Sequence, residues 1–418
     1  MLHGGVQVAD VPETIVGSPA DSNSQVIGSG RVGRLLSLIF LTFLGLCIVL
    51  PLLQTIYPIV PQIAARLDER RPPSPFPSPR LLFRANGDFA NGLNAWFDDR
   101  VGFRDLFTRA KNQIDYSVFG TSSKVLVGSD GWLFAKGNLV PVDRLRPDEF
   151  ADLEQGFVTL ARRLRAKGVT LIVIGYPDKS VIYPEKTPPQ VMLPRPSGNQ
   201  EKLRQFLASR TDLTFIDAEP ILKREKSRST ELLYFKTDMH VSEVAQVPIV
   251  KEIIARIAAA EGRPEISWSE KFSLAHDTVE GGSEGRFLSL LAPVTESDHP
   301  YFKEAYAIGG TETDGSWYLP KDDVIDHADL GLERPFDWEF RSLPDLCPQR
   351  LPGMVLFGNS FSDLYWALGL HRYFCFIRRV RDPISRLDLF IKTMPAETKY
   401  FIFEYIQTGL ALDPPPPK

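Results

Sequence analysis

Cysteine, histidine and net charge are all scarce in this sequence, and each scarcity excludes a class of protein. The 418 residues include three cysteines without a C-x-x-C pair, which excludes a disulfide-rich scaffold and a structural zinc site. The six histidines form no H-x-x-x-H pair, so no metal and no bound cofactor is expected. The net charge of -4 gives no positive field, which argues against a nucleic-acid partner.

The overall composition is that of a globular protein. Apolar residues make up 43% and charged residues 24%, which excludes collagen, a coiled coil and wholesale disorder. At about 150 residues per domain, the length corresponds to two or three units.

One segment near the N-terminus departs from this average. Leu35 to Val60 contains no charged residue, and a helix of about 20 apolar residues is long enough to cross a bilayer. The sequence therefore predicts a transmembrane anchor over 35–60. The alternative is a cleaved signal, but the stretch exceeds the usual apolar region of about 7 to 15 residues. Arginines lie on both sides of it, so charge alone leaves the orientation open.

Three segments lack the periodicity of helices and strands. Residues 1–34 are predicted to form a disordered N-terminal tail, because they offer too little apolar surface to offset the entropy of ordering. Residues 61–85 contain RRPPSPFPSPR and are predicted to be a stiff proline-rich linker. Residues 408–418 end in PPPPK and are predicted to be a second disordered tail.

Residues 86–407 are predicted to form one α/β domain. It begins with a helical pair over 86–119 and a hairpin over 125–134, in which Trp132 and Phe134 face inward. Short apolar runs then alternate with amphipathic helices, as in a parallel sheet. Residues 262–347 are a loop-rich insertion without sustained periodicity. The predicted strands are Val169–Tyr176, Leu213–Ala218, Leu232–Phe235, Gly353–Gly358, Tyr373–Ile377 and Tyr400–Tyr405.

Ser360 is a candidate nucleophile. It lies in Gly358-Asn359-Ser360, directly after an apolar strand and before a helical pattern. A serine on such a turn is exposed at the carboxyl edge of a parallel sheet, where backbone amides can stabilise an oxyanion. The alternative is that the motif only caps the helix, since serine and asparagine are preferred caps.

Asp238 and His240 are candidates for activating that serine. They follow the predicted strand Leu232–Phe235 and precede a helix that Ser242 can cap. Imidazole removes the proton of a serine hydroxyl best when a carboxylate fixes its tautomer. The alternative is a surface turn without chemistry. The remaining histidines fit less well, because they lie in the tail, in the insertion or after a helix: His3, His276, His299, His327 and His371.

Six ordered segments resemble the AlgJ/AlgX-type alginate O-acetyltransferases. The resemblance implies an SGNH-hydrolase-like three-layer domain over about 86–407, with Ser360 as nucleophile, His240 as base and Asp238 as its orienter. Gly358 and Asn359 would contribute to the oxyanion site. The segments are FDDRVGFRDLF, VLVGSDGWLF, YPDKSVIYPEK, YFKTDMHVSEVA, VLFGNSFSD and FIFEYIQ.

Two positions depart from the family pattern. Val241 stands where the family commonly has tryptophan, and Asn359 stands where it commonly has aspartate or threonine. Lys179 and Glu404 match family segments and are candidates for lining the crevice; a structural ion pair or a solvated charge is the alternative for both.

The resemblance also implies a location. The chain would be a single-pass protein of the inner membrane with its catalytic domain in the periplasm. Cys347 and Cys375 would then lie in an oxidising space, where either a disulfide or free buried thiols are possible.

The function implied by the resemblance is acetyl transfer to hydroxyl groups of an exported polysaccharide. A multi-span membrane O-acyltransferase would be the partner that supplies the acetyl groups. Two alternatives remain at this stage: a carbohydrate acetylesterase, and a non-catalytic polysaccharide-binding or scaffold subunit of an export complex.

Overall fold

The chain divides into two units, one ending at Leu106 and the other beginning at Phe107. The computed structural model describes residues 29–57, 74–83, 87–138, 145–188, 198–306, 317–320, 338–380 and 387–407. The predicted C-terminal tail and most of the predicted N-terminal tail and linker lie outside these residues.

The first unit contains the apolar segment. Helix α1 (Ser29–Ile56) includes the apolar stretch Val32–Ile56, in which an 18-residue window has a mean hydropathy of 2.7 and contains no buried residue. By length and composition this stretch fits a single transmembrane helix, as predicted. A short 3-10 helix (Pro79–Phe83) and helix α2 (Asp88–Asp98) follow. The second helix of the predicted pair is α3 (Arg104–Phe119), which contains the division between the units.

The second unit is built on a mixed sheet. Among the described residues it has seven strands in the order β4-β3-β11-β9-β10-β8-β7. The first five are parallel, as predicted, whereas β8 and β7 run antiparallel at one edge. The strands are β3 (Thr170–Tyr176), β4 (Thr214–Asp217), β7 (Trp317–Pro320), β8 (Trp338–Arg341), β9 (Gly353–Phe357), β10 (Phe376–Val380) and β11 (Thr398–Ile406).

Alternate residues of the central strands pack on opposite faces of the sheet. On β11, Ile402 belongs to one apolar core, while Phe401 and Phe403 belong to the other. Both faces are thus covered, which gives the three layers of the predicted α/β domain with a mostly parallel sheet. The helices are α4 (Pro147–Arg165), α5 (Lys179–Ile182), α6 (Asn199–Ser209), α7 (Ala218–Lys226), α8 (Glu243–Ala260), α9 (Ser283–Phe287), α10 (Asp363–Ala367) and α11 (Leu387–Thr393).

The structure corrects two predicted strands. Leu232–Phe235 does not join the sheet and makes only the isolated bridge from Tyr234 to Val241, because neighbouring loops satisfy its backbone. The strand predicted at Tyr373–Ile377 begins at Phe376 instead, because Gly369 adopts a φ of 72° and a 3-10 turn follows it.

The insertion contains regular structure. β5 (Leu274–Glu280) and β6 (Thr295–Phe302) form an antiparallel pair, and α9 lies between them along the chain. β7 and β8 also come from this region, so the insertion extends the main sheet. Short antiparallel strands of mixed polarity have weak sequence signals, which explains why none was predicted.

The predicted hairpin lies earlier in the chain and is formed by β1 (Val125–Val127) and β2 (Leu133–Ala135). Both Trp132 and Phe134 are buried, as predicted.

Cys347 and Cys375 form a disulfide, with their Cα atoms 4.9 Å apart. Of the two possibilities left open by the sequence, the paired state is the one observed. Cys47 is exposed on α1.

Replacing Phe401 by alanine is expected to destabilise the second unit strongly. Its side chain is fully buried at the centre of β11, so Phe401→Ala leaves a cavity and should lower the unfolding free energy by ~3–5 kcal/mol. Lys399→Ala on the same strand removes a side chain that is 52% exposed, and we expect a change below ~1 kcal/mol. Urea unfolding of the two variants checks this, and equal losses would contradict the assigned core.

Candidate functional site

Ser360 lies immediately beyond the carboxyl end of β9, in the middle of the sheet. A short 3-10 turn, Ser360–Ser362, begins there, and Asn359 caps it by accepting a hydrogen bond from the Phe361 amide at 2.8 Å. The motif does cap the turn, as the alternative interpretation of the sequence proposed, but the capping side chain is that of Asn359 and not that of Ser360. The hydroxyl of Ser360 is left to a different partner.

That partner is His240, which lies 120 residues earlier in the chain. Its Nε2 is 2.7 Å from Ser360 Oγ, and its Nδ1 is 2.5 Å from Asp238 Oδ1. With Nδ1 donating to the carboxylate, Nε2 can accept the proton of the hydroxyl. The structure thus brings together the three residues singled out from the sequence.

The carboxylate of Asp238 is held by four hydrogen bonds. It accepts from the His240 ring and amide, and also from the amide of Ser283 at 2.8 Å and its hydroxyl at 2.9 Å. Burial opposes ionisation, but the His240 and Ser283 bonds outweigh it and hold the pKa of Asp238 well below its usual range. Asp238 is therefore a fixed anion throughout the neutral range.

Gly282 permits this arrangement. A Cβ atom at this position would lie 2.0 Å from Asp238 Oδ2, which is far inside van der Waals contact. Gly358 is constrained in the same way, since a Cβ there would lie 2.5 Å from Ser362 Oγ. Both glycines are required by close approach of a neighbouring side chain.

Two donors near Ser360 have no protein acceptor within the described part of the chain. They are the backbone amide of Ser360 and the side-chain NH2 of Asn359. The amides of Asn359 and Ser362 instead donate to Glu404 Oε1, at 3.4 and 3.1 Å. The candidate oxyanion donors are therefore Ser360 N and Asn359 Nδ2.

Arg379 fixes the serine turn from behind. It is fully buried on β10, donates to the carbonyl of Asn359 at 2.8 Å and to the hydroxyl of Ser362, and forms an ion pair with Asp363. Its guanidinium neutralises the carboxylate and fills hydrogen bonds that the turn would otherwise leave open.

Glu404 lies beneath the turn, 4% exposed, and does not line the cleft. It accepts a hydrogen bond from Tyr365 at 2.7 Å, and this network continues through the Tyr176 hydroxyl to Gln246. Burial raises the pKa of Glu404 to about 7. Its contacts identify a buried support for the serine turn.

Lys179 likewise lies outside the cleft, behind the other half of the site. Its side chain is 3% exposed and forms an ion pair with Glu284. Its ammonium group also donates to the carbonyls of Phe235, Lys236 and Asp238, at 3.0 to 3.3 Å. Of the roles considered for Lys179, the structural ion pair is therefore the one observed. Its ammonium group holds the loop that carries Asp238.

An open cleft of about 370 Å³ lies above the triad. Its lining includes His240 and Ser360 together with Phe235, Val279 and His299. The sequence did not favour His299 as the base because it lies in the insertion, and the structure shows that it lines the same cleft. Val241 is buried at the cleft, where it pairs with Tyr234. Within the described ranges, no cluster of three or more potential ligands could hold a metal ion.

Several residues of the site carried no clear sequence signal. Gly282 and Ser283 contact Asp238 although they lie 44 and 45 positions later in the chain, and Arg379 contacts the serine turn from strand β10. The run Gly281-Gly282-Ser283 before a short helix was the only available hint.

Adding one methyl group at position 282 is expected to disable the serine. Gly282→Ala must displace Asp238, so His240 loses its orientation. Labelling of Ser360 by a sulfonyl fluoride should therefore slow at least tenfold, which corresponds to a rise of about 1.4 kcal/mol or more in the activation free energy. Gly137→Ala is the matched control, since its Cβ meets nothing within 4 Å. Unchanged labelling in a folded Gly282→Ala protein would refute the dependence on Asp238.

The raised pKa of Glu404 predicts a pH-dependent stability. Its folded pKa, about 7, exceeds the ordinary value of 4.5, so the folded state binds the proton more tightly. The unfolding free energy should therefore fall by up to ~3 kcal/mol as pH rises from 4.5 through 7. Glu404→Gln should flatten this dependence, because the amide resembles the protonated acid. Glu397→Gln is the control, because this carboxylate is 46% exposed, and it should leave the pH dependence of the unfolding free energy unchanged. Urea unfolding between pH 5 and 8 measures this dependence. An equal slope in Glu404→Gln would contradict the assignment.

Comparisons with known proteins agree with the fold. Residues 125–298 match the family described as ALGX: SGNH hydrolase-like domain, acetyltransferase AlgX. That segment includes Asp238 and His240 and ends before Ser360. No curated protein sequence matches the chain.

Three solved structures are similar to this chain. PatB1 of Bacillus cereus is 15% identical with a TM-score of 0.48, covering 68% of this chain and 96% of that one. The O-acetyltransferase domain of Pseudomonas putida AlgJ is 14% identical with a TM-score of 0.42, covering 69% and 92%. Pseudomonas aeruginosa AlgX is 15% identical with a TM-score of 0.39, covering 72% and 69%. The resemblance predicted from the ordered motifs is confirmed for residues 125–298, which are similar to the SGNH hydrolase-like domain of that acetyltransferase family.

Proposed function

We propose that this protein is an O-acetyltransferase that acts through an acetyl-serine intermediate. The observation that carries the proposal is the continuous hydrogen-bonded chain from Asp238 through His240 to Ser360. This arrangement performs acyl transfer on unrelated folds, because a serine hydroxyl becomes nucleophilic only when a base accepts its proton.

In the first half-reaction, Ser360 Oγ attacks the carbonyl carbon of an acetyl donor while His240 Nε2 takes the hydroxyl proton. Asp238 stabilises the resulting imidazolium, and its low pKa keeps it ionised for this purpose. The bond to the leaving group then breaks, and His240 returns the proton to that group. The product is an acetyl ester on Ser360.

The tetrahedral intermediate carries a negative oxygen. The amide of Ser360 and the side-chain NH2 of Asn359 are the donors closest in the chain to the reacting hydroxyl. In other acyl-transfer sites, one such donor contributes about 3–4 kcal/mol to the transition state. The asparagine that replaces the family's aspartate or threonine would thus supply a neutral donor.

In the second half-reaction, a sugar hydroxyl gives its proton to His240 Nε2 and attacks the acetyl-serine. Its oxygen forms the new ester bond, the bond from the acetyl carbon to Ser360 Oγ breaks, and His240 gives the proton to Ser360 Oγ. Water can perform the same step, which would make the protein an acetylesterase. The family match to acetyltransferases favours the sugar.

The proposed location is the inner membrane, with the second unit in the periplasm. The apolar helix α1 supports a single-pass anchor. The acceptor would be an exported polysaccharide. A multi-span membrane O-acyltransferase would supply the acetyl groups, because the single candidate span found in the described residues offers no transport path of its own.

Acetylation of the full-length protein by p-nitrophenyl acetate tests the proposal. Unaltered protein should show a burst and gain one acetyl group by intact mass. Ser360→Ala should gain none, while His240→Ala and Asp238→Asn should react about 10²–10⁴-fold more slowly. His276→Ala is the control, because this histidine is exposed and bonded to Glu231 outside the cleft.

The second half-reaction is read from the fate of the acetyl group. Transfer to an added oligosaccharide faster than release to water supports a transferase, whereas release alone indicates an esterase. Folded protein that never acquires an acetyl group on Ser360 would overturn the catalytic proposal in favour of a binding or scaffold subunit.

A further inference from the structure

The lining of the cleft contains a second acid–imidazole pair besides Asp238 and His240. Glu296 and His299 both belong to β6, and Glu296 Oε1 lies 3.7 Å from His299 Nδ1. The Glu296 side chain is 1% exposed, and these two facing atoms have no hydrogen-bond partner elsewhere in the described structure. A buried carboxylate oxygen is therefore directed at a histidine that borders the cleft.

Glu296 also contacts the triad loop. Its other oxygen accepts hydrogen bonds from the amide and hydroxyl of Thr237, at 2.8 and 2.7 Å, and Thr237 precedes Asp238. Burial alone would raise the pKa of Glu296, but His299 and Thr237 hold it below its usual range. The carboxylate is thus a fixed negative charge beside the cleft.

His299 is one half of a face-to-face aromatic pair in the lining of the cleft. Its ring stacks on Phe235, with centroids 3.9 Å apart and planes inclined by 10°. The side chain is 24% exposed, and Nε2 bonds to no described protein group. Aromatic faces bury the apolar C–H face of a sugar ring, and an open imidazole nitrogen can bond a hydroxyl.

The charge of the cleft limits which sugar this surface can accept. Four carboxylates line it, those of Asp238, Glu280, Glu296 and Asp363, and no lysine or arginine does so among the residues described. Asp238 is paired with His240 and Asp363 with Arg379. Glu280 is exposed and has no ion-pair partner in the described ranges. An acceptor with a carboxylate on each sugar would meet like charges here.

We propose that Phe235, His299 and Glu280 form an acceptor subsite for an uncharged sugar unit and disfavour a uronate. The subsite rests on the proposed function for its role, since it binds the sugar whose hydroxyl attacks the acetyl-serine. The stacked Phe235–His299 pair packs against the sugar ring, and His299 Nε2 bonds one of its hydroxyl groups. The Glu280 and Glu296 carboxylates repel the carboxylates of a polyuronate.

Binding to full-length Ser360→Ala protein tests the subsite without requiring acetylation. The two probes are a neutral β-1,4-linked glucose hexamer and a mannuronate hexamer, titrated calorimetrically at low salt. The neutral hexamer should bind at least tenfold more tightly. His299→Phe retains a stacked ring but loses the hydrogen bond, so binding of the neutral hexamer should weaken roughly 3- to 10-fold.

Reversing the charge of Glu280 is the decisive test of the proposed repulsion. Adding Glu280→Lys should strengthen mannuronate binding about tenfold, because it replaces repulsion by attraction at the mouth of the cleft. Glu265→Lys makes the same change at a side chain that is 64% exposed and does not line the cleft, and it should have no such effect.

Three results would overturn the subsite: equal or tighter binding of the mannuronate hexamer by the parent protein, no binding of either hexamer, or equal effects of the two charge reversals. Because binding is measured without an acetyl donor, failure of the acetyl-serine mechanism would leave these results unaffected. The two proposals therefore fail separately.

Discussion

The site depends on keeping one carboxylate charged and fixed while it is largely removed from water. Asp238 achieves this with four hydrogen bonds, two from His240 and two from Ser283. A desolvated anion is costly unless its acceptor sites are filled. The cost is offset here by bonds that also set the direction of the imidazole. The same hydrogen bonds consequently orient His240 and stabilise the Asp238 carboxylate.

Each half of the site is supported by a different buried charge. The Asp238 loop is held by Lys179, whose ammonium bonds three of its carbonyls and pairs with Glu284. The serine turn is held by Arg379 and by Glu404. The two halves meet at the bond between His240 and Ser360. Since none of the three supporting side chains lines the cleft, they can fix its geometry without competing for substrate.

Local sequence patterns predicted most of the sheet, and they supplied Ser360, Asp238 and His240 as candidates that were specific only in combination. An apolar run such as that of β9 indicates a strand buried on both faces, and the turn after it must expose Ser360. The predicted strand before Asp238 was wrong, yet the loop still arrives at the site, because Lys179 and Tyr183 bond its backbone. Those contacts join distant segments, and no periodicity encodes them.

The insertion was the least predictable part of the domain, and it completes the site. It provides Ser283 to the triad carboxylate and Glu296 to the adjacent Thr237. It also contributes His299 to the cleft that contains Ser360. Ser360 therefore follows a strand of the regular sheet, Asp238 and His240 stand on a loop, and part of the cleft lining comes from short strands and turns of the insertion. Such an arrangement would allow that lining to change while β9 keeps Ser360 in place.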